Sequence, residues 1–287
     1  MNKPLFDKIT IVGVGLIGGS LGLAIKKRKL AKLVMGVVHR RQTIAQAFRR
    51  RALHGATMNL KEGVRDADLV ILCAPVSTIV QQMKLIRPLL KPGARVIDVA
   101  SSKLLVQAAA KKYLKGVRFT GCHPMAGSAK SGLQHADAFL FEDSVCFMTG
   151  ADAPVERFWR ALGAHPHFLT PKSHDEWVAR VSHLPHILAF ALFQSGGAHK
   201  LARLGIEASN PSIQDLARLS KSDPKLWAEI LISNKQEIMN ALKEHEASVG
   251  RLKKALSSRN SRAIEKFILQ ANTSSQRLAP EHGDKNK

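Results

Sequence analysis

One short stretch constrains this chain more than any other. The apolar run Ile9 to Val12 is followed at once by Gly13-Val14-Gly15-Leu16-Ile17-Gly18. The run reads as a buried strand, and Gly19 to Ile25 continues as a helix. Each glycine has its own reason to be there. Gly13 suits a tight turn, Gly15 lets the backbone approach a pyrophosphate, and Gly18 allows the helix to pack closely on the strand. The helix start, at Leu16 and Ile17, offers N–H groups and a positive dipole end to phosphates. A secretory signal is excluded, because Lys26-Lys27-Arg28-Lys29 follows the apolar run instead of preceding it. The run is also too short and too rich in glycine to span a bilayer, which needs about 20 apolar residues.

Strand then alternates with helix. A second strand is predicted over Leu33 to Val38, and its end is informative. A chain that binds NAD usually carries an acid there for the ribose 2′-OH. This chain has His39-Arg40-Arg41, a basic group that attracts a 2′-phosphate, so NADP is favoured over NAD. A fourth strand ends in Cys73-Ala74-Pro75, at the carboxyl edge beside the dinucleotide. Val76 to Leu90 has helical spacing, and Arg95 to Val99 is the next strand. Ser101 and Ser102 then stand where a helix cap is needed. Val117 to Thr120 delivers His123. This alternation argues a doubly wound, mostly parallel sheet, the Rossmann architecture, over residues 1–172.

From about Ser173 the strand-like runs vanish. Amphipathic stretches replace them, with Ile238, Leu242, Val249, Leu252 and Leu256 at near-heptad spacing. An all-helical domain is expected over 173–275, serving core and homodimer interface together, with a polar, frayed tail over 276–287. His183 and His186 share a helix face, and Pro185 between them is expected to kink the helix and free a carbonyl. Paired helical histidines also bind zinc, but no third ligand stands at a suitable position, so no metal is expected. Three cysteines, Cys73, Cys122 and Cys146, fit a reduced cytoplasmic chain. The formal charge of +22 invites a nucleic-acid reading. Aromatics make up only 5% of the chain, too few for obvious stacking platforms, so that partner is not favoured.

Several motifs together carry a resemblance. They are the glycine run through Gly19-Ser20, Asp98-Val99-Ala100-Ser101-Ser102-Lys103, His123-Pro124-Met125-Ala126-Gly127, His174-Asp175, Ser182-His183-Leu184-Pro185-His186 and Ser222-Asp223-Pro224. In this order they resemble the prephenate/arogenate dehydrogenase family of tyrosine biosynthesis, over about residues 8–270. The histidine motifs are far more specific than the glycines. The resemblance implies a Rossmann domain, a helical dimerisation domain, and oxidative decarboxylation of prephenate or arogenate with NADP or NAD.

It also implies roles. His123 is the catalytic histidine, accepting the hydrogen bond from the substrate hydroxyl. Ser101 touches the hydroxyl region and the nicotinamide. His186 contacts a substrate carboxylate, with His183 beside it, and His174 neighbours the pocket. Arg218 pairs with the ring carboxylate. Two departures stand out. Ala129 occupies a position where many relatives have Glu. The cofactor half is similar to NADP-dependent arogenate enzymes and the helical half to prephenate enzymes, so the substrate is split between the two. The rival readings are a β-hydroxyacid or imine dehydrogenase and a non-catalytic nucleic-acid-binding Rossmann protein. The first would place Lys and Asn where this chain has Ser182-His183 and His186.

Overall fold

The computed structural model describes residues 3–127, 130–195 and 211–276. The expected tail over 276–287, apart from its first residue, and Ala129 lie outside the described residues. An eight-stranded sheet runs in the order β3-β2-β1-β4-β5-β6-β7-β8. Its strands are β1 (Phe6–Val12), β2 (Ala31–Val37), β3 (Gly55–Thr57), β4 (Leu69–Leu72), β5 (Arg95–Asp98), β6 (Arg118–Pro124), β7 (Val145–Met148) and β8 (His165–Phe168). β1 to β6 pair in parallel, β7 runs antiparallel to β6, and β8 is parallel to β7. The expected doubly wound sheet is therefore present. Its three short strands β3, β7 and β8 carry too little apolar periodicity to be read from sequence.

Side-chain alternation explains the layers. Ile9, Ile11, Leu69, Ile71 and Ile97 enter one core, and Val12, Val70, Leu72 and Val96 enter the other. Successive residues of a strand point to opposite faces, so a strand covered on both faces must be apolar throughout. Helix α1 (Leu16–Lys27) seals the first face with Leu21 and Ile25. Helices α4 (Val76–Ile86) and α5 (Leu104–Tyr113) seal the second with Ile79, Met83 and Val106.

Two basic clusters find a local cause. Lys26 and Lys27 end α1, and Arg49 ends α2 (Arg41–Arg49), where the helix dipole favours cations. Arg28 and Arg50 donate to the carbonyls of Ala138 and Ala136, tying both helix ends to one loop.

After β8 the chain is helical. α6 (Ala153–Ala161) lies between β7 and β8, and α7 (Pro171–Val178) follows the sheet. α7 opens into a π-helical turn, Ala179–His183, which leads into α8 (Leu184–Gln194). Pro185 directly follows the π turn within a helically continuous backbone, where its missing N–H leaves a carbonyl of the preceding turn without that donor. The expected disruption is thus the wide π turn just before the proline. α9 (Pro211–Ser220), α10 (Pro224–Ser233), α11 (Lys235–Ser257) and α12 (Ser261–Gln276) complete the order.

By packing, the chain divides into two compact units, Met1–Ile238 and Met239–Lys287. The first unit runs well past residue 172, because α7 packs on α5 and α10 packs on α4. All residues of the site described below lie in this unit. The second unit exposes Leu256, Ile268 and Leu269.

Candidate functional site

The strand order turns at β1 and β4, which run side by side while their successors lie outward. Ligands of open α/β sheets bind at the carboxyl edge of such a switch point. Gly13 and Cys73 stand there. Gly13 has φ of +100°, and a Cβ on it would sit 2.3 Å from the Cys73 carbonyl oxygen. A Cβ on Gly18 would sit 2.0 Å from the Gly13 carbonyl oxygen. A Cβ on Gly15 would meet nothing within 4 Å. Gly13 and Gly18 are therefore demanded by the fold, while Gly15 keeps its surroundings open for a ligand.

Two cavities meet along this edge. One, of about 370 Å³, is lined by Gly15 to Gly18, Cys73 to Val76, Val99 to Ser101, Ser131 and Gly132, with Leu226, Trp227 and Ile230 of α10 opposite. The other, of about 540 Å³, shares Gly15, Cys73, Ala74, Pro75, Ser131 and Gly132 and extends to His39 and Arg40. The residue set fits a dinucleotide: open glycine backbone for phosphates, an apolar slot at one end and a basic group at the other. Gly13, Gly15, Leu16, Ile17, Gly18, Cys73, Ala74, Pro75, Ser101, His39 and Arg40 all border this cleft. Arg41 opens α2 and does not line either cavity. Ser131 and Gly132 line both, and nothing in their sequence signalled it.

The histidines converge beside the cleft. His123, half-buried near the end of β6, has Nδ1 2.9 Å from Nε2 of His174. Nδ1 of His174 lies 2.7 Å from Oδ1 of Asp175. Both residues of α7 are fully buried. The Asp175 carboxylate also accepts the backbone N–H groups of Lys103 at 2.7 Å and Leu104 at 2.9 Å. Asp175 thus caps α5 from a distance. The expected local cap is not used: Ser101 faces the cavity, and Ser102 is bonded to Ser233 at 2.8 Å.

Beneath this chain lies a buried ion pair. The Lys103 ammonium bonds the Asp98 carboxylate and the Cys122 carbonyl, the latter at 2.8 Å. Burial raises the Asp98 carboxyl, and the Lys103 charge opposes it. Burial also holds His123 well below the ordinary range, and His174, Lys103 and His183 push it the same way. Its imidazole is neutral near pH 7.

His183 is buried in the π turn. Its Nδ1 lies 3.2 Å from Nδ2 of Asn234, which also donates to the Asp175 carbonyl at 2.9 Å. His186, one turn on, stacks on Trp227 with ring centres 3.8 Å apart, and its Nδ1 faces the Ser182 carbonyl at 2.8 Å. Burial lowers His186, and so does the positive charge of Arg218 on α9. Arg218 is exposed on a helix packed against α8. The structure thus gathers His123, His174, His183, His186 and Arg218, with Trp227 joining them to the cofactor cavity. Asp175, Asn234, Lys103 and Trp227 were given no role from sequence, although Asp175 and Lys103 sit in the quoted motifs and Trp227 lies just beyond one.

The comparisons with known proteins agree over both halves. The family described as "Prephenate dehydrogenase, nucleotide-binding domain" matches residues 21–166, and "Prephenate dehydrogenase, dimerization domain" matches residues 170–270. A prephenate dehydrogenase of Lactococcus lactis subsp. cremoris is 32% identical over 265 residues, covering 91% of this chain and 74% of the relative. The structure of Aquifex aeolicus prephenate dehydrogenase with hydroxyphenyl propionate and NAD+ superposes with a TM-score of 0.85 at 26% identity, covering 95% of this chain and 98% of that one. Synechocystis arogenate dehydrogenase gives 0.80 at 26% identity, covering 95% and 100%.

The buried histidines make stability depend on pH. Burial pushes His183 down to about 4 from its ordinary 6.5. The unfolded chain then binds more protons than the folded one between those values. Stability is fully present above pH 6.5 and is lost as pH falls toward 4. One such group contributes at most about 1.4 kcal/mol per pH unit. Denaturant unfolding followed from pH 7 to 4.5 should show this fall, and His183→Gln should flatten it. An unchanged slope in that variant would assign the titration to other groups.

Proposed function

The chain belongs to the prephenate dehydrogenase family, and from this premise we propose that it takes prephenate or arogenate, with NADP as its favoured hydride acceptor. It is a nicotinamide-dependent oxidoreductase acting in tyrosine biosynthesis by oxidative decarboxylation. The single observation that carries the mechanism is the chain from His123 through His174 to Asp175, on the strand next to the one that leads to Ser101; burial holds the His123 imidazole well below its ordinary range. The family relation favours this reading over the β-hydroxyacid one.

The reaction asks the protein for three things: to polarise one O–H, to aim one C–H, and to hold two carboxylates. The nicotinamide, when bound, supplies the hydride acceptor. His123 takes the hydroxyl proton on its outer nitrogen as the C–H bond of the same carbon breaks, its electron pair leaving as hydride, and the C–O bond becomes a carbonyl. As the ring carboxylate leaves as CO₂, its bonding pair enters the ring, and the proton returns from His123 to the new phenolate oxygen. Ser101 holds the hydroxyl on the cofactor side. Arg218 pairs with the ring carboxylate as a planar, two-pronged donor. His186 takes the side-chain carboxylate. Its Nδ1 is committed to Ser182, so Nε2 must carry a second proton, which an arriving anion promotes.

Arg40 supports the NADP preference, since it borders the adenosine end of the cleft where an acid would repel a 2′-phosphate. The dinucleotide-binding part is taken as 1–172 and the substrate and dimerisation part as 173–275, close to the two family matches. A homodimer is supported by the second match and by the exposed Leu256, Ile268 and Leu269. Three free cysteines suit a cytoplasmic setting. Among the described residues, no helix is long and apolar enough to cross a membrane.

Assays with prephenate and arogenate, each with NAD and NADP, test the proposal directly. His123→Ala should keep dinucleotide binding and lose 10²–10⁴-fold in kcat, the usual worth of acid–base assistance at roughly that order. Near-normal kcat would end its role as base. Arg218→Ala should raise KM by about 10-fold or more, because its partner is charged in the ground state as well. Its kcat should fall less than that of the His123 variant, and an unchanged KM would leave Arg218 without a role in substrate binding. Arg40→Ala should cut the NADP/NAD ratio of kcat/KM by about ten- to a hundredfold, equivalent to roughly 1.5–3 kcal/mol for a lost charge-assisted contact.

A further inference from the structure

We propose that His174 and Asp175 are positioning residues that lock His123 with its proton on Nδ1, so that Nε2 presents a lone pair. By the same network, Asn234 locks His183 in the opposite form, with its proton on Nε2. The proposal rests on the reading of His123 as the base and adds what makes it one.

Asp175 fixes the direction of every bond in the chain. A carboxylate accepts and cannot donate. Both oxygens of Asp175 already receive backbone N–H groups, from Lys103 at 2.7 Å and Leu104 at 2.9 Å. The His174 nitrogen 2.7 Å from Oδ1 must therefore carry hydrogen. His174 is fully buried, and burial disfavours its cation. A neutral ring with hydrogen on Nδ1 has its lone pair on Nε2. That lone pair faces Nδ1 of His123 at 2.9 Å, so His123 donates there. A neutral His123 is then left with an accepting Nε2. The reverse arrangement would set a lone pair of His174 against the Asp175 oxygen at 2.7 Å, between two fully buried side chains.

The second lock starts from a carbonyl. The Asp175 main-chain oxygen accepts from Asn234 at 2.9 Å, which identifies that side-chain atom as the amide nitrogen. The same nitrogen lies 3.2 Å from Nδ1 of His183, which therefore accepts. Neutral His183 then carries its proton on Nε2. One residue, Asp175, thus sets one histidine as an acceptor through its side chain and, with Asn234, another as a donor through its main chain. When His123 takes the hydroxyl proton, an O–H bond breaks and an Nε2–H bond forms. The resulting imidazolium keeps its Nδ1–H on His174, and the Asp175 charge stands one ring further away.

The test reads tautomers directly, by two-bond ¹H–¹⁵N correlation on protein labelled at histidine, in the presence of NADP and at pH 7.5. The His123 signals are assigned by their loss in His123→Asn and those of His183 by their loss in His183→Gln. His123 should show hydrogen on Nδ1 and His183 hydrogen on Nε2. Either result reversed overturns the proposal for that ring, and neither needs turnover, so failure of the base assignment is seen separately in His123→Ala. Two variants then separate positioning from packing. In His174→Gln the amide can still accept from His123 and donate to Asp175. It should keep the His123 tautomer and stay within about 5-fold of the parent kcat. His174→Phe fills the same space with neither bond. It should lose roughly 10²-fold in kcat, in line with loss of acid–base assistance, with KM and NADP affinity within about 3-fold. Equal losses in the two variants, or parent kcat in His174→Phe, would overturn the positioning role.

Discussion

The Asp175 carboxylate is fully buried, yet both of its oxygens are occupied. It accepts from the first N–H groups of α5, which have no partner within their own helix. It accepts from His174 on its own helix α7. Its main-chain carbonyl receives Asn234, which follows α10. A helix belonging to the sheet and two elements of the helical half are thereby fixed to one anion. A buried charge is costly unless its bonding is complete, so these elements can sit in few other ways. The spacing of Ser101 and His123 from Trp227 and His186 follows from that anchor.

A second buried charge lies under the first. Lys103, whose N–H is held by Asp175, sends its ammonium back to Asp98 and to the carbonyl preceding His123. It ties the end of β5 to β6 at the point where the catalytic candidates leave the sheet. Burial is the main force lowering His123 and His174; the Lys103 charge adds to it at both rings, and Asp98 opposes it at His174. The π turn at Ala179–His183 also shapes the site. A wider turn changes the angular spacing along the helix, so His183 points back toward Asn234 while His186 stacks on Trp227.

Much of this was legible in the chain. The glycine run announced a strand, a turn and a helix because the demands on Gly13 and Gly18 are partly local: a positive φ at Gly13, and a Gly13 carbonyl oxygen that would lie 2.0 Å from a Cβ on Gly18. The apolar strands were legible because both faces are covered. His39-Arg40-Arg41 was legible because its position after β2 is fixed by the sheet, although only His39 and Arg40 reach the cavity. The strands β3, β7 and β8 were not, being three or four residues long and held by their neighbours. Ser101 and Ser102 looked like a cap, because a cap is usually local. Here the cap comes from Asp175, 72 residues beyond Lys103.

The sequence by itself determined the parallel centre of the sheet, the side of it that receives a dinucleotide, and the histidines to watch, because each of these follows from periodicity, from steric needs within a few residues or from short motifs. It could not determine what the histidines do to one another. His123 and His174 are 51 residues apart, as are His183 and Asn234, and Asp175 is 59 from Asn234. Which nitrogen of an imidazole carries the proton depends on what lies 3 Å away, roughly one hydrogen-bond length. Only the packing of α5, α7 and α10 around a single carboxylate decides that.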